Sequence, residues 1–145
     1  IYVIGGAAMH PGSKEAALYP TRPHRSVGTV EEYDPKTNSW SERSSMPTAR
    51  NHAAVGAVNN KIYVIGGRLG SAFIFTASNT NVVEEYDPAT NSWSELPMMP
   101  MPRHGLAGAV VGHRLHLASG DIQSAGITGM HVVTDAHDIF EFSDR

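Results

Sequence analysis

With 145 residues, of which 41% are hydrophobic and 17% charged, the chain has the length and composition of one ordinary globular domain. Its net charge of −3 gives no reason to expect nucleic-acid binding, and no apolar run is long enough to cross a membrane. The absence of cysteine excludes disulfides, zinc–thiolate sites and thiol catalysis within these residues, and it leaves the cellular compartment undetermined.

An internal repeat with a shift of 53 residues organises the chain. Residues 31–35 (EEYDP) return as residues 84–88, and residues 37–42 (TNSWSE) return as residues 90–95. Self-similarity at a fixed period of this size is typical of an architecture built from repeated supersecondary units.

Further copies of the repeat are indicated at both ends of the chain. Residues 1–6 (IYVIGG) are identical to residues 62–67, and residues 140–143 (FEFS) lie where the other copies have Glu-Tyr-Asp. The sequence therefore predicts one complete repeat flanked by two incomplete ones.

The complete repeat reads as four short strands in chain order. The predicted strands are residues 52–58, 61–65 and 82–86, and a fourth strand surrounds Trp93. The pair Asn59-Asn60 predicts a tight hairpin between the first two strands. Proline cannot donate to a strand ladder, so we expect the third strand to end at Asp87-Pro88.

Four apolar residues followed by Gly-Gly, a spaced Tyr-Asp-Pro and then a Trp resemble the Kelch motif, and the resemblance covers nearly the whole chain. It implies an all-β fold, namely a Kelch-type β-propeller with four-stranded antiparallel blades. We divide the chain into an incomplete blade (1–45), a complete blade (46–98) and an incomplete blade (99–145). The motif positions, which we expect to be structural rather than catalytic, are Gly5, Gly6, Tyr33, Trp40, Gly66, Gly67, Tyr86, Trp93 and Gly120. We expect the aromatic ones to fill the space between neighbouring blades.

The third copy departs from the motif. Residues 116–120 (HLASG) replace Tyr-Val-Ile-Gly-Gly, and Phe142 is expected to replace the tyrosine of strand three. Its second glycine is intact, so we still interpret this segment as a blade.

The predicted blades hold three, four and three strands, which is less than a closed ring, since propellers typically have about four to eight blades. Two interpretations remain open: the chain is a fragment of a longer propeller, or copies of it self-associate to complete a ring. Two copies would supply about six blades.

The loops before strand one and after strand two are expected to share one face, because adjacent antiparallel strands run in opposite directions. These loops differ within the chain: from the second glycine to the aromatic residue of strand three there are 27, 19 and 22 residues in the three blades. Loops on a rigid scaffold commonly carry binding, so we place a binding site for a partner protein or peptide on this face.

Five residues on that face are the candidate binding residues: Arg50, Asn51, Arg68, Arg103 and His104. The resemblance implies that Arg50 and Arg103 grip acidic peptides, as arginines around the rim of Kelch propellers commonly do. The alternative is that both arginines pair with carboxylates of adjacent blades, for which the guanidinium fork is equally suited.

The loops also carry basic, apolar and histidine-rich segments. Residues 7–27 are rich in Lys and Arg (Lys14, Arg22, Arg25), and Phe73-Ile74-Phe75 forms either an exposed apolar tip or a contact with the neighbouring blade. His131, Asp135, His137 and Asp138 share one loop, and no recognised metal-ligand spacing relates them. His113 and His116 are expected to point to opposite faces. We therefore predict no metal site.

No catalytic residue and no cofactor is predicted, because a phosphate-binding glycine loop and a GxSxG elbow are both absent from the sequence. Galactose-oxidase-like propellers use a tyrosine crosslinked to cysteine, which this segment cannot supply. The alternative function is that of a sialic-acid mutarotase-like or other carbohydrate-active Kelch propeller. A third interpretation, the substrate-recruiting part of a ubiquitin-ligase adaptor, depends on a helical domain that these residues do not contain.

Overall fold

The structure, a computed structural model, describes residues 1–9, 24–70, 77–123 and 131–142. Within them the regular secondary structure is all strand. The strands, in chain order, are β1 (Tyr2–Ile4), β2 (Ala7–Met9), β3 (His24–Ser26), β4 (Val30–Asp34), β5 (Ser39–Glu42), β6 (Ala54–Val58), β7 (Lys61–Ile65), β8 (Arg68–Leu69), β9 (Ser78–Asn79), β10 (Val83–Asp87), β11 (Ser92–Leu96), β12 (Ala107–Val111), β13 (Arg114–Ala118) and β14 (His137–Glu141).

Three antiparallel sheets form three propeller blades, which confirms the predicted fold class. Blade one has the order β1-β4-β5, blade two has β11-β10-β7-β6, and blade three has β12-β13-β14. Blade one thus contains the equivalents of strands two to four of blade two, and blade three contains those of strands one to three. The strand counts are those that the repeat predicts.

Blade two follows its predicted strands closely. The second strand has the predicted bounds, the first begins two residues later, at Ala54, and the third is shifted by one residue to Val83–Asp87. Asn59 and Asn60 both have positive φ, at 50° and 60°. This is the backbone of a type I′ hairpin, so the prediction from the Asn-Asn pair is confirmed.

The register of blade three corrects the prediction that Phe142 replaces the motif tyrosine. Tyr86 pairs with Ile62 in blade two, and the residue that pairs with the equivalent Leu115 in blade three is Phe140. The prediction is therefore wrong by two residues. The observed register places Asp138 opposite Leu117, as Glu84 lies opposite Val64 in blade two.

Hydrophobic clusters fill both spaces between the blades. The cluster between blades two and three includes the fully buried Ile65, Leu115 and Leu117. The cluster between blades one and two is built around Val30, Met46 and Val64. These contacts stabilise the stack, because each blade is too thin to bury its own side chains.

The motif aromatics pack differently in the two blades that carry them. Tyr86 is fully buried and meets the ring of Tyr2 edge-on at 5.8 Å. Trp93 donates a hydrogen bond of 2.8 Å from Nε1 to the carbonyl oxygen of Ser44 in blade one. Trp40 of blade one is 56% exposed, and its ring contacts that of Tyr33 in the same blade at 5.0 Å.

The innermost strands approach too closely for larger side chains. A Cβ atom at Gly56 of β6 would lie 2.6 Å from Cδ1 of Leu115 in blade three. Glycine at position 56 therefore leaves room for the Leu115 side chain between blades two and three.

Candidate functional site

One face of the structure carries extra pairs of strands, and we call it the ribbon face. In blade two, Asn51 and Arg68 exchange backbone hydrogen bonds of 3.0 and 2.8 Å, and Arg68 pairs further with Asn79. In blade three, His104 and Asp121 exchange equivalent bonds of 3.1 and 2.8 Å, and Asp121 forms a bridge with Val133. The loops before strand one and after strand two thus lie together, as the antiparallel arrangement predicts.

Arg50 lies beneath this face with a side chain that has no exposed surface. Its Nη1 forms an ion pair of 2.8 Å with Oε2 of Glu84, and its Nη2 donates a hydrogen bond of 2.7 Å to the carbonyl oxygen of Val64. The other carboxylate oxygen of Glu84 accepts hydrogen bonds from N and Oγ1 of Thr48. Burial lowers the pKa of Arg50, and the ion pair and hydrogen bond with Glu84 oppose that shift.

Arg103 occupies the equivalent position in blade three and is equally buried. Its Nη2 forms an ion pair of 2.8 Å with Oδ2 of Asp138, and its Nε donates a hydrogen bond of 2.8 Å to the carbonyl oxygen of Ser119. Both arginines thus pair with a carboxylate on strand three of their own blade. The alternative proposed from the sequence is right about the ion pair, although it expects a carboxylate from an adjacent blade.

Asn51 is buried and joins the two first blades. Its Nδ2 donates a hydrogen bond of 2.8 Å to Oγ of Ser26 in blade one. Its Oδ1 accepts from Nδ1 of His52 at 2.7 Å and from Nε of Arg68 at 3.2 Å. Because an amide oxygen can only accept, His52 carries its proton on Nδ1.

Arg68 differs from the other two arginines of the predicted site. It is partly exposed, and among the described residues no carboxylate forms an ion pair with it. Burial lowers its pKa and the negative charge of Asp121 opposes that shift. The result is a positive charge held in position by Asn51, with part of its surface open to solvent.

His104 makes the corresponding contact between blades two and three. Its Nδ1 donates a hydrogen bond of 2.8 Å to Oδ1 of Asn79, whose Nδ2 donates to the carbonyl oxygen of Asp121 at 3.0 Å. Burial, reinforced by the positive charge of Arg68, lowers the pKa of His104. The ring is therefore neutral at pH 7, since an unperturbed histidine already titrates at about 6.5.

Asp121 completes the polar part of the ribbon face. Its Oδ2 lies 2.5 Å from Nδ1 of His131, and its Oδ1 accepts from the backbone N–H of Gln123 at 2.8 Å. Burial opposes ionisation of Asp121, but these hydrogen bonds and one from Val132 hold the pKa of the carboxyl below its ordinary value. Asp121 is thus ionised and already engaged by its own loop.

The structure gathers Asn51, Arg68 and His104 at the surface of the ribbon face or directly beneath it, with Arg50 and Arg103 below. Two members of the network, Ser26 and Asn79, were missed by sequence reasoning. A signal existed, because they are separated by the same 53 residues as Asn51 and His104. A comparison of the polar residues at equivalent positions of the repeat could have identified Ser26 and Asn79.

Other sequence features are dispersed or lie outside the described residues. Three features lie outside the described residues: Lys14, Arg22 and the segment Phe73-Ile74-Phe75. Arg25 is described and is exposed on β3. His131 contacts Asp121, Asp138 contacts Arg103 and His137 contacts His116, so their shared loop does not bring them together. Within the described ranges, no group of three or more His, Cys, Asp or Glu residues is arranged to hold a metal ion.

A cleft of about 160 Å³ lies between blades two and three, lined by Asn59, Lys61, Tyr63, Glu85, Leu96, Glu141 and Phe142. It includes none of the candidate binding residues, and the ring of Tyr63 stacks on that of Phe142 inside it at 3.9 Å.

Among the residues that the structure describes, no helix could cross a membrane.

Comparison with known proteins places these blades in a family. The model of the Kelch motif matches residues 1–47 and 49–100. An F-box/kelch-repeat protein of Arabidopsis thaliana is 36% identical over 71% of this chain, and the match covers 18% of that protein. Kelch-like protein terF of Aspergillus terreus is 34% identical over 83% of this chain and 24% of its own length. Kelch-like protein 25 of Xenopus tropicalis is 30% identical over 85% of this chain and 19% of its own length.

The fold is also similar to that of a solved structure, YjhT. The two superpose with a TM-score of 0.77 at 22% identity, over 97% of this chain and 46% of the other. The chain thus spans less than half the length of that structure and a quarter or less of the relatives named above. The repeated glycine pairs, the blade topology and these matches together show that the chain belongs to the Kelch-repeat family and forms blades of a Kelch-type β-propeller.

Proposed function

We propose that this chain is a protein-interaction scaffold that binds an acidic segment of a partner protein on the ribbon face, with Arg68 as the principal contact for the partner's carboxylate. The observation that supports this most is the difference among the three arginines. Arg50 and Arg103 are neutralised inside their own blades, whereas Arg68 retains exposed surface and has no carboxylate partner among the described residues.

Arg68 is suited to the task because its position is fixed before a partner arrives. The backbone of Arg68 is held in a ladder by Asn51, and its Nε is oriented by Oδ1 of the same residue. A guanidinium held at Nε retains donors at its terminal nitrogens, and these match the geometry of a carboxylate. Little side-chain entropy remains to be lost on binding.

Arg50 and Arg103 take part in this proposal as supports. Each lies one residue before a member of the ribbon face, Asn51 or His104, and fixes that residue through a buried ion pair. Their substitution would disturb binding through the placement of the loops.

The proposal also includes His104, which lies directly beneath the ribbon face, and the exposed Arg25 on β3 of blade one. A neutral His104 whose Nδ1 donates to Asn79 presents Nε2 as a hydrogen-bond acceptor. Arg25 is exposed beside Ser26 on blade one and adds positive charge. Charges near the rim of an interface raise the association rate more than they raise affinity.

The test measures peptide binding to the 145-residue chain by fluorescence anisotropy. One set of labelled peptides is rich in Asp and Glu, and in the control set these residues are replaced by Asn and Gln. We expect the acidic peptides to bind, and Arg68→Ala to weaken that binding and reduce its dependence on salt. Arg68→Glu should weaken it further. The matched control is Arg114→Ala, which removes an exposed arginine paired with Glu141 on blade three.

Equal affinity for acidic and amide peptides, or equal losses in the Arg68 and Arg114 variants, would contradict the proposal. Free sialic acid is titrated in parallel. Saturable sugar binding that depends on Arg68, in the absence of peptide binding, would favour a carbohydrate-active Kelch propeller instead.

A further inference from the structure

His52 of blade two has a left-handed backbone, which is uncommon for a residue with a side chain. Its φ is 53°, and the equivalent residue of blade three is Gly105, with a φ of 63°. In this region the Cβ atom approaches the following carbonyl oxygen, so a residue other than glycine is strained there. Blade three thus has the residue that this backbone favours, whereas blade two has a histidine.

The left-handed backbone of His52 belongs to the contact between blades two and three. Its carbonyl oxygen accepts a hydrogen bond of 2.9 Å from the backbone N–H of Gly105. A glycine at position 52 would make the same contact, because only main-chain atoms take part in it. The blade architecture therefore requires the conformation at this position and does not require the histidine side chain.

The imidazole of His52 is exposed on the ribbon face, beside Arg68. Its Nδ1 donates a hydrogen bond of 2.7 Å to Oδ1 of Asn51, the atom that also accepts from Nε of Arg68. Its ring meets that of His104 edge-on, at a centroid distance of 5.9 Å and an interplanar angle of 87°. Blade two has a neighbouring blade on each side, so this exposure does not result from an open end of the stack.

We propose that His52 is a specificity-determining residue of the ribbon face, whose ring contacts an aromatic side chain of the acidic partner segment. This inference rests on the function proposed above and adds the residue type that accompanies the partner's carboxylate. A strained backbone retained at an exposed position is typical of functional sites. The ring of His52 is held in place by two contacts, and aromatic rings favour offset-stacked or edge-on contacts with one another.

The spacing of the aromatic residue in the partner follows from the position of His52 relative to Arg68. Both side chains donate to the same oxygen atom of Asn51, so they lie close enough to contact one short peptide. In an extended peptide, alternate side chains point to the same side and are about 6.6–6.8 Å apart. We therefore expect the aromatic residue two positions from the acidic residue that Arg68 binds.

The experiment measures the affinity of the 145-residue chain for labelled peptides by fluorescence anisotropy. The peptides share one central Glu and carry Tyr, Leu or Ala two positions from it on each side. We expect the Tyr peptide to bind about two- to tenfold more tightly than the Ala peptide. The Leu peptide should bind more weakly than the Tyr peptide, because it supplies apolar area without a ring.

His52→Gly and His52→Ala separate a contact with the partner from a structural role, because both remove the ring and only alanine retains the backbone strain. Both variants should lose the preference for the Tyr peptide to the same extent. The midpoint of thermal unfolding should nevertheless be about 2–6 °C higher for His52→Gly than for His52→Ala. The control is His113→Ala, which removes an exposed histidine in the turn between β12 and β13 and should keep the preference.

A preference for the Tyr peptide that persists in both His52 variants would overturn this inference. So would a loss confined to His52→Ala, because the effect would then follow stability instead of the ring. Failure of the proposed function has a different signature: replacing the central Glu by Gln, or introducing Arg68→Ala, would leave the affinity unchanged. If none of the peptides binds, both are wrong.

Discussion

Nδ2 of Asn51 in blade two donates a hydrogen bond of 2.8 Å to Oγ of Ser26 in blade one, and the same inter-blade contact recurs one repeat later with different chemistry. There, Nδ1 of His104 in blade three donates to Oδ1 of Asn79 in blade two, also at 2.8 Å. Both donors and both acceptors are related by the shift of 53 residues. The repeat thus preserves a contact between blades while the residue types change.

This equivalence predicts that asparagine can replace histidine at position 104. His104→Ala should lower the free energy of unfolding by about 1–3 kcal/mol, because it leaves Oδ1 of the partly buried Asn79 without its partner. His104→Asn should retain most of the stability, since Asn51 makes the equivalent contact. Urea denaturation of the two variants measures the difference, and equal losses would contradict the equivalence.

The buried ion pair of Arg50 and Glu84 gives a second prediction. Arg50→Met should lower the free energy of unfolding by about 3–5 kcal/mol, because it leaves the carboxylate of Glu84 buried without its counter-charge. Adding Glu84→Gln should recover part of the loss, since the amide oxygen can still accept the hydrogen bonds from Thr48.

Arg114→Met is the control for that prediction. Arg114 also pairs with a carboxylate, but both side chains are more than half exposed, so its loss should change stability little. Denaturation midpoints and slopes of all three variants, compared with the parent chain, decide the outcome. If the Arg50 and Arg114 variants lose equal stability, burial is not the cause.

The blade organisation could be predicted because its signals are local and repeated. A glycine pair follows both β1 and β7, the proline after β4 recurs after β10, and the two tryptophans are 53 residues apart. The Asn-Asn pair marks the turn between β6 and β7. The role of Arg50 and Arg103 could not be read in the same way. Their matched spacing shows that the position matters, but only the tertiary structure shows that Glu84 and Asp138 face inward to meet them.

The register of blade three was beyond sequence reasoning for a similar reason. Phe140 and Phe142 are both aromatic and are two residues apart, so either can replace the tyrosine without reversing the sides of the strand. The choice between them depends on long-range contacts. Only the observed register brings Asp138 opposite Leu117 and within reach of Arg103.

Gly6 and Gly67 occupy equivalent positions and make a matched pair for a third prediction. Their φ values are +106° and +101°, so alanine is strained at both. A Cβ at Gly67 would also lie 2.8 Å from the carbonyl oxygen of Asn51, whereas no described atom lies within 4 Å of a Cβ at Gly6. Gly67→Ala should therefore destabilise the chain more than Gly6→Ala.

Thermal denaturation of the two alanine variants measures this difference. The backbone strain, about 1–2 kcal/mol, is common to both variants. The additional loss of stability in Gly67→Ala therefore measures the close approach of the loop before β6. Equal losses would show that the backbone conformation alone requires these glycines.

Tyr2 leads to the fourth prediction, which concerns alkaline pH. Burial, together with a hydrogen bond to Glu32 and the charge of that carboxylate, raises the pKa of Tyr2 to about 12 from 10.0. Because the folded chain holds the phenol proton more tightly than the unfolded chain, this contribution to stability is fully present below pH 10. It should be lost as the pH rises from about 10 to about 12.

Tyr2→Phe removes that ionisation, so the stability of the variant should fall less steeply than that of the parent chain across the same pH window. Urea denaturation at a series of pH values measures the slopes, and phenolate absorbance near the upper end of the window follows the ionisation itself. The parent chain unfolded in urea is the reference, since no folded neighbour shifts the pKa of its tyrosines there. Parallel slopes for parent and variant would show that Tyr2 ionises as readily in the folded blade as in the unfolded chain, and that its contact with Glu32 does not retain the proton.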